Sequence, residues 1–230
     1  AEGSEAVFVV SIDNPSTEDV VVDVVTVPGS ALAGDDYTPV TTTVTIPAGQ
    51  TSVEVAVSTL NDDLYEGEEQ FTLEGTVTSG NTSNTDPVGT ATITDNPDDL
   101  PEVSISDVTV AEGSEAVFVV SIDNPSTEDV VVDVVTVPGS ALAGDDYTPV
   151  TTTVTIPAGQ TSVEVPVSTL EDDLYEGEEQ FTLEGTVTSG NTSNTDPVGT
   201  ATITDNPDDL PAVSISDVTV AEGSEAVFVV

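Results

Sequence analysis

The sequence of 230 residues contains no lysine, arginine or histidine, whereas 44 residues are aspartate or glutamate, so its formal charge is −44. Without lysine or arginine a protein cannot neutralise phosphates, and the counterion release that drives nucleic-acid binding is lost. An anionic membrane surface repels the same charge. We therefore expect neither nucleic acid nor a membrane surface to be a direct partner.

Cysteine, methionine and tryptophan are also absent. Thiol catalysis needs a cysteine, a Ser-His-Asp triad needs its histidine and a P-loop needs its lysine. Zinc, haem and iron–sulfur centres depend on cysteine or histidine ligands. The remaining donors are hard oxygens, which suit calcium or magnesium. We predict that the chain is not an enzyme and has no small-molecule substrate.

Long hydrophobic runs are missing as well, yet the chain is not depleted of apolar residues. No run approaches the 18 apolar residues of a membrane span, and no signal-peptide pattern is present. Any export signal or anchor is therefore expected outside this sequence. The apolar fraction is 37% and the mean hydropathy is +0.05, which is too apolar for a solvated acidic tail. These values favour a folded chain.

The sequence repeats with a period of 110 residues. The segment AEGSEAVFVV begins at Ala1, Ala111 and Ala221. A unit of this length is the size of a domain, so a string of similar domains is expected. Aligning residues 1–120 with 111–230 leaves three differences, which are Ala56 against Pro166, Asn61 against Glu171, and Glu102 against Ala212.

Each repeat has the pattern of an all-β domain. Short runs rich in β-branched residues are separated by turns of Asp, Asn, Pro, Ser and Gly, and no segment has a helical apolar stripe. About seven strands in 110 residues are typical of an antiparallel β-sandwich. In the second repeat the predicted strands are 103–110, 116–122, 130–137, 151–156, 162–169, 180–188 and 198–204.

The first predicted strand sets the domain boundaries. If VSISDVTV at 103–110 opens a domain, residues 100–209 form a complete domain, 1–99 lack the first strand, and 210–230 carry the first strand or strands of a third repeat. One interpretation is a segment cut from a long array. Another is that residues 213–220 fill the vacant sheet edge of another molecule, because exposed edges invite strand addition.

Acidic residues are concentrated at 171–179, where six carboxylates occur within nine residues. Two carboxylates repel by about 1 kcal/mol at a separation of ~4 Å in water, and by more at lower dielectric. No cationic side chain exists to offset this repulsion. Calcium binds six to eight oxygens in a flexible geometry that irregular loops can supply. The alternative is a charged loop that is simply solvated.

Four ordered blocks give the repeat a specific resemblance. VAEGSEAVFVVSIDNPS, ALAGDDYTPVTTTVTIPAGQTS, LEDDLYEGEEQFTL and GTATITDNPDD follow one another and span the whole unit. This arrangement resembles the Calx-beta domain. The family has an immunoglobulin-like sandwich fold and occurs in tandem in sodium–calcium exchangers, integrin β4 and large bacterial surface adhesins. In several members, loops at one end of the sandwich bind calcium.

The resemblance implies Ca²⁺ ligands in both repeats, with two leucines contributing main-chain carbonyls. Where ligand-competent members often have a further acid, the first copy has Asn61 and the second has Glu171, and the linker acids extend the predicted set. The predicted residues are Glu2, Asp36, Asn61, Asp62, Leu64, Glu66, Glu69, Asp95, Asp98 and Asp99 in the first copy, and Glu112, Asp146, Glu171, Asp172, Leu174, Glu176, Glu179, Asp205, Asp208 and Asp209 in the second.

Three functions are compatible with these features. The first is a calcium-rigidified spacer in a long extracellular adhesin or cell-surface fibre, with the neighbouring repeats as partners. Near-identical copies favour it, because a recognition site needs to occur only once. The second is a self-assembling filament subunit joined by donation of residues 213–220. The third is a calcium-dependent adhesion module that binds a surface through calcium or the threonine-rich segment 151–155. Sequons at Asn81 and Asn191 are expected in a surface hairpin.

Overall fold

The computed structural model describes residues 1–229 and is built from strands and loops, apart from two single 3-10 turns at Pro97–Asp99 and Pro207–Asp209. The prediction of an all-β fold is confirmed. Within the described residues, no helix is long and apolar enough to cross a bilayer. The strands of the first repeat are β1 (Glu5–Ser11), β2 (Val20–Pro28), β3 (Thr41–Ile46), β4 (Ser52–Ser58), β5 (Glu69–Val77) and β6 (Val88–Ile93).

The second repeat has two additional strands at its start. Its elements are β7 (Val103–Ile105), β8 (Val108–Ala111), β9 (Glu115–Ile122), β10 (Val130–Pro138), β11 (Thr151–Ile156), β12 (Ser162–Ser168), β13 (Glu179–Val187) and β14 (Val198–Thr204). We call β1–β6 the first sandwich and β7–β14 the second sandwich.

The two sandwiches share one sheet topology. In the second, a five-stranded sheet of order β11-β10-β13-β14-β8 is combined with a three-stranded sheet of order β12-β9-β7. In the first, the corresponding sheets have the orders β3-β2-β5-β6 and β1-β4. Among the described residues, the first sandwich therefore has no counterpart of β7 or β8.

The predicted first strand at 103–110 is divided between the two sheets. Residues of β7 pair with β9, and residues of β8 pair with β14 in parallel, so this sheet is mixed rather than purely antiparallel. The division falls at Ser106 and Asp107. Ser106 Oγ accepts a hydrogen bond from the Val119 amide at 2.9 Å, and Asp107 Oδ1 accepts one from the Thr200 amide at 2.7 Å. These side chains supply acceptors where the strand changes sheets.

The core of the second sandwich is organised around aromatic rings. Tyr147 stacks on Phe181 with ring centroids 4.1 Å apart, and Phe118 meets Phe181 edge to face at 5.9 Å. All three side chains are fully buried. Inward and outward residues alternate along the strands, as in β10, because successive side chains point to opposite faces. The buried Tyr147 anchors the GDDY turn that carries Asp146.

The first sandwich has the same rings but a more open core. Tyr37 stacks on Phe71 with a centroid distance of 4.1 Å. Phe8 and Val10 of β1 are only half-buried, whereas their counterparts Phe118 and Val120 are fully buried. The side chains of β7 and β8 cover the corresponding positions in the second sandwich. The first sandwich therefore buries less apolar area than the second.

Thermal unfolding is expected to show two transitions, the lower one from the first sandwich. Leu73→Ala and Leu183→Ala remove matched buried side chains, and such changes typically cost about 2–5 kcal/mol. In differential scanning calorimetry, Leu73→Ala should lower the first transition and Leu183→Ala the second. A single transition lowered equally by both changes would contradict this assignment.

Candidate metal centre

The predicted ligands of the first sandwich lie at one end of it. Strand β5 runs antiparallel to both β2 and β6, so it begins where those two strands end. Glu69 is the first residue of β5, Asp36 follows β2, and Asp95 follows β6. The loop from β4 to β5 carries Asp62 and Glu66 to the same end. Strand direction alone therefore collects these carboxylates.

The first carboxylate group combines Asp36, Glu66 and Glu69, whose oxygens lie within 4.8 Å of one another. Asp36 is buried, and its Oδ2 accepts a hydrogen bond from the Leu32 amide at 2.5 Å. This bond fixes the Asp36 side chain on its turn. We call this set the loop group.

A second group lies at the junction with the linker. Glu2, Asp95 and Asp99 have oxygens within 4.8 Å of one another, and Glu2 forms a further group of the same kind with Asp62 and Glu66. Glu2 and Glu66 therefore connect the loop group to the linker. We call Glu2, Asp95 and Asp99 the junction group.

The junction group has buried oxygens without hydrogen-bond donors. Asp95 Oδ2 accepts from the amides of Glu66 at 2.9 Å and Gly67 at 3.0 Å, which holds the loop in place. Asp95 Oδ1, Asp99 Oδ2 and Glu2 Oε2 are buried and accept nothing from the residues described. Asp99 is only 4% exposed. Because unpaired buried charge is costly, this arrangement fits a bound cation.

Burial and mutual repulsion change the acidity of these groups. The pKa values of Glu2, Glu66 and Glu69 are raised from 4.5 to about 7, first by burial and then by neighbouring carboxylates. Burial, followed by the charge of Asp95, also raises the pKa of Asp99. Since the chain has no cationic side chain, protons or an external cation must reduce the charge of these sites.

The second sandwich repeats both groups. Asp205 Oδ2 accepts from the amides of Glu176 at 2.8 Å and Gly177 at 2.7 Å, as Asp95 does in the first. Burial and then a hydrogen bond with Asp146 raise the pKa of Glu179 to about 7. Buried oxygens of Glu112, Asp205 and Asp209 lack a donor in the described part of the chain. The groups are Asp146, Glu176 and Glu179, and Glu112, Asp205 and Asp209.

Some predicted ligands lie outside these groups as described. Asp98 and Asp208 are exposed on their 3-10 turns. Asp172 is exposed, and its Oδ1 accepts from the Leu174 amide at 2.7 Å, just as Asp62 accepts from Leu64 at 2.8 Å. Of Asp62 and Asp172, only Asp62 belongs to a described carboxylate group. Ligation by the carbonyls of Leu64 and Leu174 stays a prediction.

The position of Asn61 and Glu171 has a different environment. Glu171 Oε1 accepts from Asn206 Nδ2 at 2.7 Å, and Asn61 Oδ1 accepts from Asn96 Nδ2 at 3.4 Å. Asn206 also caps the 3-10 turn through its bond to the Asp208 amide. Both residues at this position therefore brace the turn that carries the linker acids.

A contact between the sandwiches adjoins the junction group and was missed by the sequence reasoning. The Tyr65 amide donates to the Pro125 carbonyl at 3.0 Å, and the Thr127 amide donates to the Tyr65 carbonyl at 2.9 Å. Ser126 is buried between them. Tyr175, the counterpart of Tyr65, is 50% exposed. Because the bonds are made by backbone atoms, no side-chain pattern signalled them.

The hairpin predicted at the surface occurs once in each sandwich, with one sequon in each copy, and the two copies differ in exposure. Asn81 is exposed, but Asn191 is 3% exposed and its Nδ2 donates to the Asp129 carbonyl at 3.2 Å. The segment that precedes β7 covers the hairpin of Asn191, because the Ser193 amide donates to the Pro101 carbonyl at 2.9 Å. The expectation of a surface position is therefore wrong for Asn191.

The fold and this acidic end define a tandem β-sandwich protein with carboxylate clusters at the end of each sandwich. The Calx-beta domain family matches residues 1–99 and 95–209, and the chain belongs to that family.

A search of solved structures also found matches to this chain. "Crystal structure of calcium binding domain CBD12 of CALX1.1" is 15% identical, covers 87% of this chain and 93% of its own, and has a TM-score of 0.40. The match to "Crystal structure of Apo-form Calx CBD1 domain" is 18% identical and has a TM-score of 0.41. It covers 46% of this chain and 98% of that one. No curated protein matches the chain.

Acidification should stabilise the chain when divalent ions are removed. A glutamate with a pKa of about 7 when folded and 4.5 when unfolded binds more protons in the folded state between those values. Stability should therefore fall as pH rises from 4.5 to 7. Thermal unfolding in EDTA should give a higher Tm at pH 5 than at pH 8.

The same measurement on variants tests the origin of that difference. Glu69→Gln combined with Glu179→Gln should reduce the pH dependence, because two of the carboxyl groups with a pKa of about 7 are removed. Glu164→Gln, an exposed change on β12, serves as the control and should leave it nearly unchanged. A Tm that is equal or higher at pH 8 in EDTA would contradict the prediction.

Proposed function

We propose that the chain is a calcium-binding structural spacer whose tandem sandwiches are held in a fixed relation by ions at their acidic ends. The chemistry of the donors supports calcium over transition metals, since every available ligand is an oxygen. The loop group and the junction group would hold the ions. Calcium would offset the carboxylate repulsion there. The buried oxygens that lack hydrogen-bond donors would coordinate it. Extracellular modules bind it with dissociation constants of about 10⁻⁴ to 10⁻³ M.

The observation that carries the proposal is the position of Asp99. This residue belongs to the linker turn, yet its carboxylate is buried against Glu2 and Asp95 of the first sandwich. An ion bound to all three residues would tie the linker to the sandwich that precedes it. Asp209 is placed in the same way against Glu112 and Asp205. The junction group is thus repeated with the period of the sequence.

Contacts at the junction support restricted bending. The loop of Tyr65 pairs with Pro125 and Thr127 of the second sandwich, and Asn124 Nδ2 donates to the Asp98 carbonyl at 3.2 Å. The linker also contains Pro97 and Pro101, which limit its backbone freedom. These features join the acidic end of one sandwich to the opposite end of the next. Successive repeats would then extend in one direction.

A spacer role also accounts for the repetition. Near-identical repeats set length without adding new recognition sites, and a large negative charge keeps neighbouring fibres soluble and apart. We propose an extracellular or cell-surface location, in an adhesin or surface fibre. Calcium is millimolar there, so calcium sites with dissociation constants of about 10⁻⁴ to 10⁻³ M would be occupied. The folded neighbours in the array are the partners of each repeat.

Asp99→Asn should weaken calcium binding at the junction while leaving the loop group intact. Asp98→Asn is the matched control, because Asp98 lies on the same turn but is exposed. Isothermal titration should show loss of one site, or at least a tenfold weaker one, in Asp99→Asn alone. Small-angle scattering should show that calcium stiffens the wild type and Asp98→Asn more than Asp99→Asn. Equal titrations of the two variants would refute the junction site.

Thr127→Pro should loosen the junction through the backbone. The change removes the amide that donates to Tyr65, whereas Thr17→Pro makes the same change at the equivalent loop of the first sandwich. Both variants should unfold at similar temperatures. Scattering in calcium should show greater bending for Thr127→Pro only. Equal flexibility in the two variants would show that the Tyr65 contact does not restrict bending.

A further inference from the structure

The second sandwich, as described, has four edge strands, and three of them are poorly suited to pairing with a further strand. β7 and β8 have only three and four residues, and short edges offer little to an incoming strand. β12 carries an exposed carboxylate, Glu164, and an exposed proline, Pro166. Charge and proline on an edge strand both hinder such pairing.

The position of Pro166 on β12 fits this protective role. The Ile122 amide donates to the Thr161 carbonyl at 2.9 Å, so these two residues form a hydrogen-bonded pair. Val117 and Pro166 lie an odd number of positions further along the same ladder, which makes them a non-hydrogen-bonded pair. The backbone of Pro166 therefore faces the free side of β12. Its missing N–H removes a donor from that side without costing a bond inside the sheet.

The fourth edge strand, β11, has none of these features. Its sequence from Thr151 to Ile156 is TTTVTI, without charge, proline or glycine, and its four threonines are exposed. Threonine and branched apolar residues favour extended strands. In the first sandwich β3 has the identical sequence and also lies at the edge of its sheet. We call the free sides of β3 and β11 the open edges.

Backbone groups of alternate residues face outward from the open edges. The Thr136 amide donates to the Val150 carbonyl at 2.9 Å, which makes these two residues a hydrogen-bonded pair between β10 and β11. By alternation, the amides and carbonyls of Thr151, Thr153 and Thr155 point away from β10. No strand of the described residues lies on that side. These amides and carbonyls are therefore available to a further strand.

The distribution of charge makes the open edges the place where two copies of this chain can meet. Copies of charge −44 repel each other wherever their carboxylates approach. On the strand beside the open edge the acid is Asp133, whose Oδ1 accepts from Thr153 Oγ1 at 2.5 Å. If two open edges pair, the two Asp133 side chains are separated by three strand spacings, about 14 Å. This exceeds the Debye length of about 8 Å at physiological ionic strength, so their repulsion is largely screened.

We propose that an open edge of one chain pairs antiparallel with an open edge of a second copy, so that chains associate side by side through a continuous sheet. In the symmetric register, Thr153 lies opposite Thr153 of the second copy, and Thr151 lies opposite Thr155. Each of these pairs exchanges two backbone hydrogen bonds, and facing threonines form a favourable cross-strand pair. The half-buried Val154 is then covered by Thr152 of the second copy. β3 and β11 are equivalent in this joint because their sequences are identical.

The joint lies across the array of repeats rather than along it. It uses no residue of the loop group or the junction group, so it goes beyond the proposed spacer function and does not depend on calcium. Negative charge keeps chains apart over the rest of their surface and restricts their contact to the uncharged edge. Each repeat carries one open edge, and several weak joints between the same two chains add to the strength of association.

Sedimentation equilibrium of the full 230-residue chain at rising concentration tests the joint. The measurement is made in EDTA, so that calcium has no part in it, and at ~0.5 M salt, where repulsion is screened. The mass should rise from 23.4 kDa to twice that value or more as the concentration reaches the millimolar range. A monomer at every concentration would overturn the proposal. That result would leave the calcium titration of Asp99→Asn, and with it the spacer function, unaffected.

Thr43→Pro combined with Thr153→Pro removes one outward amide from each open edge. Pro166 shows that this fold accepts a proline at an outward position of an edge strand, and circular dichroism checks that both sandwiches are folded. Association should weaken at least ~10-fold, because the central pair of each joint loses both its backbone bonds. Ala56→Pro is the matched control, since it makes the same change on β4, and it should leave association unchanged. Equal weakening by the two changes would overturn the proposal.

Thr43→Val combined with Thr153→Val separates backbone pairing from adhesion through hydroxyl groups. Valine keeps the outward amide and the preference for an extended strand, but it removes the hydroxyl. Association should therefore stay within ~3-fold of the wild type, since the backbone bonds of the joint are retained. If the valine variant were as monomeric as the proline variant, the contact would not be a strand pairing and the proposal would fail.

Amide hydrogen exchange followed by NMR locates the contact on the molecule. The outward amides of Thr41, Thr43 and Thr45 should exchange quickly in dilute solution, because no described strand pairs with them. At millimolar concentration their exchange should slow at least ~10-fold, as expected for amides that gain a strand partner. The outward amide of Glu54 on β4 should exchange equally fast in both conditions. Protection of Glu54 without protection of Thr43 would place the contact on the other edge and overturn the proposal.

Discussion

Negative charge without an internal counter-charge is the constraint on which the rest of the structure depends. In an ordinary protein, arginine or lysine would pair with buried carboxylates, but this chain has neither. Strand direction nevertheless places several acids at one end of each sandwich, and Asp95 and Asp99 keep buried oxygens without donors. The energy of that end therefore depends on protons or ions from solution, while the aromatic core below it is independent of them.

Asp95 and Asp205 connect this electrostatic problem to loop structure. In each, one oxygen binds two successive backbone amides of the acidic loop, and the other is turned into the junction group. A change in the charge of the group therefore acts on the loop that bears Tyr65. That loop also contacts Pro125 and Thr127 of the second sandwich. A few hydrogen bonds therefore link the charge of the acidic end to the orientation of one sandwich against the other.

Period-two patterns and turn residues allowed the strands and the all-β fold to be predicted from the sequence, because both depend on local chemistry. The crossing at Ser106 and Asp107 was not predicted, since the segment alternates without interruption and only its distant partners show the change of sheet. The resemblance to the Calx-beta domain implied an acidic end in each sandwich, but neither it nor the spacing of the acids distinguished buried Asp99 from exposed Asp98. The burial of Asn191 was also missed, because the residues that cover it lie about 90 positions earlier.

The position of β7 and β8 at the start of the repeat has a consequence for folding. Val103 is paired with Asn194 across 91 residues of sequence, and β8 pairs with β14, the last strand of the same sandwich. Contacts of such long range form slowly because the intervening chain must first be ordered. During synthesis, a repeat can close its sandwich only when its final strand has emerged. Until then its opening strand is exposed beside other repeats of nearly the same sequence. The strand can therefore pair with a neighbouring repeat instead of its own, which is a characteristic misfolding route of repeat proteins.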